Sequence, residues 1–171
     1  MLPPKRNTGP NALRRGRYSL SGANYFVTLC IEPRKPVLVG EFARDVLRVA
    51  HAMTADGVWI LRCATVMPDH LHLFFTLGGR LTLSQAVGRL KVKARPVNAI
   101  SHADWQANFY DHRLRPSDSA EAVIRYIYQN PYAAGLLPTD KEWPAFYCSD
   151  QDWDWFRICT DRGHPVPEWL Q

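Results

Sequence analysis

The sequence predicts an α+β domain, and three observations carry that expectation. Short β-branched and aromatic runs alternate with longer stretches of helical periodicity. Their order is βαββαβα. The 171 residues suffice for one domain with a real core but not comfortably for two. A split βαβ unit of this order closes into a four-stranded antiparallel sheet with helices on one face, the ferredoxin-like arrangement.

Residues 1–21, rich in Pro, Gly, Asn and Arg, form a basic arm with no core of its own. Tyr25–Ile31 (YFVTLCI) has the β-branched and aromatic content of a buried strand, and Pro33 and Pro36 end it. From Gly40 to about Ala55, Phe42, Val46, Leu47, Val49 and Ala50 recur at helical spacing. Val58–Met67 is a second strand, and Met67-Pro68-Asp69 turns the chain into a third, His70–Leu77. Leu81 to about Ile100 is a basic amphipathic helix that Pro96 ends or kinks. Phe109–Leu114 is the fourth strand. The last helix begins at Ser117 or Asp118, with Glu121 completing a capping box. It stops before Pro131, since a residue preceding proline avoids the helical region. The folded body then spans 22–149, and an acidic, Trp-rich tail covers 150–171.

Hydrophobic residues make up 46% of the chain, which excludes wholesale disorder. Cys30, Cys63, Cys148 and Cys159 lie far apart with no CxxC pair, which argues against a zinc ribbon or a secreted disulfide framework. The basic N-terminus lacks the apolar stretch of a signal peptide, and no apolar run is long enough to cross a bilayer. The expectation is a cytoplasmic protein with no membrane partner.

The net charge of +5 is informative once located. Residues 1–18 hold Lys5, Arg6, Arg14, Arg15 and Arg17 without an acid, so the other 153 residues sum to zero. Arg80, Arg89, Lys91, Lys93 and Arg95 form a second acid-free stretch, whereas the chain from Thr139 onward has seven acids against three bases. Lys and Arg clusters supply the sequence-independent part of nucleic-acid affinity by neutralising phosphate. Arg14, Arg15 and Arg17, with Lys91, Lys93 and Arg95, are therefore candidate nucleic-acid contacts. A solvated basic face suits the same residues, and Lys91, Lys93 and Arg95 do not share one narrow helix face.

Two residue pairs carry chemistry. In a strand, alternate side chains share a face, so His70 and His72 project together while Leu71, Leu73 and Phe75 point to the core. Side-by-side imidazoles are half of a metal site. With six histidines, about 0.2 such triplets arise by chance, so the motif is weak alone. The second pair is Tyr126 and Asn130, one helical turn apart beside the apolar stripe of Val123, Ile124 and Ile127. The same spacing suits a core-edge aromatic followed by a cap before Pro131. Together, two imidazoles and one amide oxygen leave positions for water and phosphate, a set that suits Mg²⁺ or Mn²⁺. A phenol beside a polarised phosphodiester can attack phosphorus, and the covalent link conserves the bond for resealing. Trp105, Phe109 and Tyr110 suit either base stacking or the core.

Four ordered blocks now matter together: Met67-Pro68-Asp69-His70-Leu71-His72-Leu73; Trp105-Gln106 with Phe109–Arg115 (FYDHRLR); Tyr126–Pro131 (YIYQNP); and Ala134-Gly135-Leu136. Over about residues 14–149 the chain resembles the REP-associated tyrosine transposases, relatives of the one-tyrosine HUH transposases of insertion sequences. The resemblance implies a ferredoxin-like fold, His70 and His72 as metal ligands with Asn130 as the third, and Tyr126 as a nucleophile forming a 5′-phosphotyrosine. It implies cleavage of single-stranded DNA at repetitive extragenic palindromes, recognised as a hairpin with a tetranucleotide at its foot that Arg14, Arg15 and Arg17 would contact. Ala133 stands where the family usually has a basic residue, and the resemblance does not reach past Ser149. The REP-associated relatives suggest a monomer and the insertion-sequence enzymes a dimer. Two rival classes are a non-catalytic nucleic-acid-binding module on the same sheet and a zinc enzyme acting on small molecules.

Overall fold

β1 (Asn24–Glu32), β2 (Trp59–Met67) and β3 (His70–Leu77) are built mostly from buried residues, as strands covered on both faces must be. In the computed structural model, which describes residues 19–96 and 103–159, β3 lies between the other two and runs antiparallel to both. β5 (Tyr110–Arg113) pairs with the outer side of β1, completing the order β5-β1-β3-β2 of the expected four-stranded sheet. Two short strands extend it to six: β4 (Asp104–Trp105) against the end of β1 and β6 (Phe146–Cys148) against β2. At two and three residues they are too short to display a period of two.

α1 (Gly40–Ala55) and α2 (Leu83–Lys93) cover the face of Val27, Leu29, Leu71, Leu73 and Phe75. α3 (Ala120–Ala133) and α4 (Asp150–Phe156) cover the opposite face, through Phe26, Cys63, Phe74, Ile124, Ile127 and Phe156. Helices on one face therefore describes α1 and α2 only. The reason lies in β1 and β3: Phe26 and Phe74 give the second face apolar surface that must also be covered.

Helix boundaries differ from the expected ones for identifiable reasons. α2 begins at a capping box, Thr82 with Gln85, and ends at Lys93, short of Pro96, with the Ala94 amide bonded to Leu90 O. Residues 97–100 of the expected helix lie outside the described residues. Ser119, not Ser117 or Asp118, caps α3 by accepting from the Ala122 amide. Asp118 instead accepts from the Arg115 amide and from Nε2 of His112. α3 also runs through Pro131, correcting the expected stop. The proline ring is buried within the packed face, and Gly135, four residues after it, closes the helix at φ +66. There the amides of Gly135 and Leu136 return to the carbonyls of Tyr132 and Pro131, satisfying the last turn.

Part of the expected acidic tail joins the folded body. Ser149 caps α4, Phe156 is fully buried, and the Arg62 guanidinium clasps Asp152 with bonds of 3.0 and 2.5 Å. Burial alone would raise the Asp152 pKa, but Arg62 and Ser149 hold the carboxyl below its ordinary value. Cys63 and Cys148 are free thiols. Among the described residues no helix is long and apolar enough to cross a membrane.

Candidate active site

The alternation of β3 delivers His70 and His72 to the face covered by α3. Their rings meet edge to face, 4.7 Å between centroids. Each Nδ1 is engaged. That of His70 donates to Asp69 Oδ1 at 2.6 Å, and Arg34 holds Asp69 at 2.8 Å. That of His72 meets the Thr28 hydroxyl at 2.9 Å. With protons at Nδ1, both rings present a bare Nε2 lone pair, the arrangement in which carboxylate or hydroxyl partners orient metal-binding imidazoles. Nε2 of His72 is buried and makes no hydrogen bond, a costly state for a polar atom with no other purpose.

His72 is only 3% exposed, and burial pushes its pKa down to about 3, helped by His70 and Arg34. The Asn130 carboxamide opposes that shift. The ring is thus neutral across the physiological range, which keeps its lone pair available. Among the described residues no three His, Cys, Asp or Glu side chains are grouped to hold a metal, so a third side-chain ligand beside the two imidazoles would have to be of another kind. The donor set of two imidazole nitrogens and the Asn130 amide fits a divalent ion.

α3 places Tyr126 and Asn130 at this same spot. The Tyr126 ring packs edge-on against His72 at 5.2 Å and Phe26 at 5.7 Å, yet is 36% exposed, open to a substrate. Asn130 donates a long bond, 3.4 Å, to Tyr126 O, leaving its carbonyl oxygen uncommitted to the helix. The helix cap is Ala134, so Asn130 is not spent as the cap its spacing also allowed. Tyr128 points elsewhere, into the core with Phe146, Trp153 and Phe156. The four side chains singled out by spacing therefore converge.

The basic residues do not all converge. Arg14, Arg15 and Arg17 lie outside the described residues. α2 sits on the opposite face of the sheet from the histidines. Lys91 Nζ donates to Gln106 O at 2.5 Å and Asn108 O at 3.1 Å, tying α2 to a loop. Arg95 pairs with Asp104 at 2.6 Å, and Lys93 is exposed. Local sequence cannot show that loop carbonyls 15 residues away consume the Lys91 charge.

Other residues at the site had little or no signal in the sequence. Thr28, Asp69 and Arg34 orient the imidazoles, and of these only Asp69, beside His70, was marked by position. Thr65 stands opposite His72 on β2, and its buried Oγ1 also lacks a partner. Tyr110 stands opposite Thr28 on β5, 44% exposed, with its ring edge-on to Phe26. Trp105 and Phe109, by contrast, are core residues.

Comparison with known proteins gives this arrangement a lineage. The family described as Transposase IS200 like matches residues 19–130. The REP-associated tyrosine transposase of Escherichia coli (strain K12) is 23% identical over 129 residues, covering 75% of this chain and 78% of that protein. The solved structure of a REP-associated tyrosine transposase bound to a REP hairpin superposes with a TM-score of 0.62 at 24% identity, covering 76% of this chain and 79% of the other. That likeness supports the fold. The family match takes in the four central strands and every converging side chain, and the chain belongs to the IS200-like transposase family.

Proposed function

We propose that this protein is a metal-dependent single-stranded DNA endonuclease and strand transferase that acts on REP-type hairpins through a 5′-phosphotyrosine at Tyr126. One observation carries the reading: an accessible phenol packed against a buried imidazole whose Nε2 has no partner. The hairpin substrate is supported by the relative solved with a REP hairpin.

His70 Nε2, His72 Nε2 and the Asn130 carbonyl would hold a Mg²⁺ or Mn²⁺ ion. When bound, such an ion draws charge from the phosphodiester and stabilises what develops on it. Asp69 and Thr28 fix the two rings, and burial keeps His72 neutral. Phe26 and His72 hold the Tyr126 ring at the site. The Tyr126 oxygen bonds to phosphorus and passes its proton to water. The P–O3′ bond breaks, and the released 3′ oxygen takes up a proton. Attack by another strand's 3′ hydroxyl reverses the step and frees the phenol, so joining requires no nucleotide cofactor. All four side chains come from one chain, which suits a monomer.

The test is incubation of a labelled hairpin from the host's palindromic repeats with wild type and Tyr126→Phe, in Mn²⁺ or EDTA. A metal-dependent covalent adduct on a denaturing gel, absent from Tyr126→Phe, is the expected result. Hairpin binding without an adduct in either protein would replace the enzyme with a non-catalytic hairpin-binding module.

A further inference from the structure

α3 has two working flanks. Tyr126 and Asn130 occupy one, and Tyr128 and Tyr132, one turn apart, occupy the other. Against the second flank, β6 and α4 enclose a concavity of about 330 Å³. Six aromatic side chains line it, including Tyr128, Tyr132, Trp143 and Trp153, with two carboxylates, Glu142 and Asp150. Tyr128 meets Tyr132 at 6.0 Å and Trp153 at 5.8 Å, so the rings form a continuous wall. Asp152 nearby is consumed by Arg62, but Glu142 and Asp150 form no ion pair among the described residues.

The lining restricts the ligand. Uncompensated carboxylates repel phosphate, so this is not a continuation of the DNA surface. A purely apolar ligand would desolvate both acids with no return. A hydrated metal ion would leave the rings unused. What satisfies both is a cation with an apolar body, because ring faces and carboxylates each attract positive charge. The phenols respond to the same surroundings: burial first, then Tyr132 and Glu142, raise the Tyr128 pKa.

We propose that this cavity binds an organic cation, an alkylammonium or guanidinium group, with its charge held between Glu142 and Asp150 and its carbon chain against the rings. The site is independent of the nuclease reading and stands whether or not Tyr126 proves to be a nucleophile.

Spermidine and a short acetylated Arg/Lys peptide represent the two sources of such a group, a free polyamine and a side chain of a partner protein. Each is titrated into the full-length protein by calorimetry at fixed ionic strength, with tryptophan fluorescence as a second readout. Saturable binding of at least one probe is expected, weakened at least tenfold in the double variant Glu142→Gln/Asp150→Asn. Both residues are exposed, so the double variant retains the fold. A tighter spermidine isotherm assigns the free amine, and a tighter peptide isotherm assigns the protein side chain. Affinity unchanged in the double variant, or no saturable binding of either probe, overturns the proposal. Equal displacement of both probes by Mg²⁺ at the same ionic strength, which would reduce the effect to bulk charge, also overturns it.

Discussion

Lowering the pH of the metal-free protein from about 7.5 to about 5.5 should cost it about 1 kcal/mol of folding stability through His72 alone. In the unfolded chain His72 titrates near its ordinary 6.5, whereas burial in the folded protein holds it at about 3. Between those values the unfolded state carries the extra proton, so acid favours unfolding. The stability is fully present above 6.5 and is lost progressively as pH falls toward the folded-state value. One pH unit below 6.5, the loss is about one unit's worth, or roughly 1 kcal/mol. The carboxyls held below their ordinary 3.8, Asp69, Asp118 and Asp152, lose their contributions only below that value and stay silent in this window. Urea denaturation in EDTA at both pH values, on wild type and His72→Gln, isolates the effect, because the remaining histidines are common to both proteins. The variant should lose about 1 kcal/mol less than wild type over the same interval. Equal losses would refute the claim that His72 is buried and neutral in the folded protein.

Three further outcomes follow from the same geometry. Mn²⁺ at about a hundredfold its dissociation constant should stabilise wild type by about 3 kcal/mol at pH 7.5, and His70→Ala should abolish the gain in a thermal melt. Phe156→Ala should cost about 3 to 5 kcal/mol by urea denaturation, since the ring is fully buried, whereas a true appendage would tolerate it with little change. Tyr110→Ala should weaken single-stranded DNA binding by about 1 to 3 kcal/mol while Tyr110→Phe does not, because stacking uses the ring face and not the hydroxyl. A fluorescence anisotropy titration separates the two variants.

The converging residues were legible because each pair obeys a strict local rule: period two for His70 and His72, and one helical turn for Tyr126 and Asn130. The central strands were legible for the same reason. What local rules cannot see is who pays an electrostatic debt across the fold. Lys91 looks like any basic helix residue until the carbonyls of Gln106 and Asn108 are folded beneath it. Thr28 becomes an imidazole partner only through the β1–β3 register that sets it opposite His72. The Pro131 rule failed because the proline lies on the buried face of α3, where packing holds the helix through one missing amide donor. β6 was too short to show a period, α4 lay beyond the resemblance, and the anchor of α4, Asp152, finds Arg62 across 90 residues.

The two layers of this sandwich are unequal. Among the described residues, 27 buried hydrophobics form the α1–α2 side and eight the α3–α4 side. The histidine strand is thus welded to the thick layer, while the tyrosine helix rides on the thin one. Opening free energies scale with the contacts a segment must break, so α3 is expected to open at lower cost than the central strands. In hydrogen exchange, the amides of α3 would report that partial opening well before those of β3.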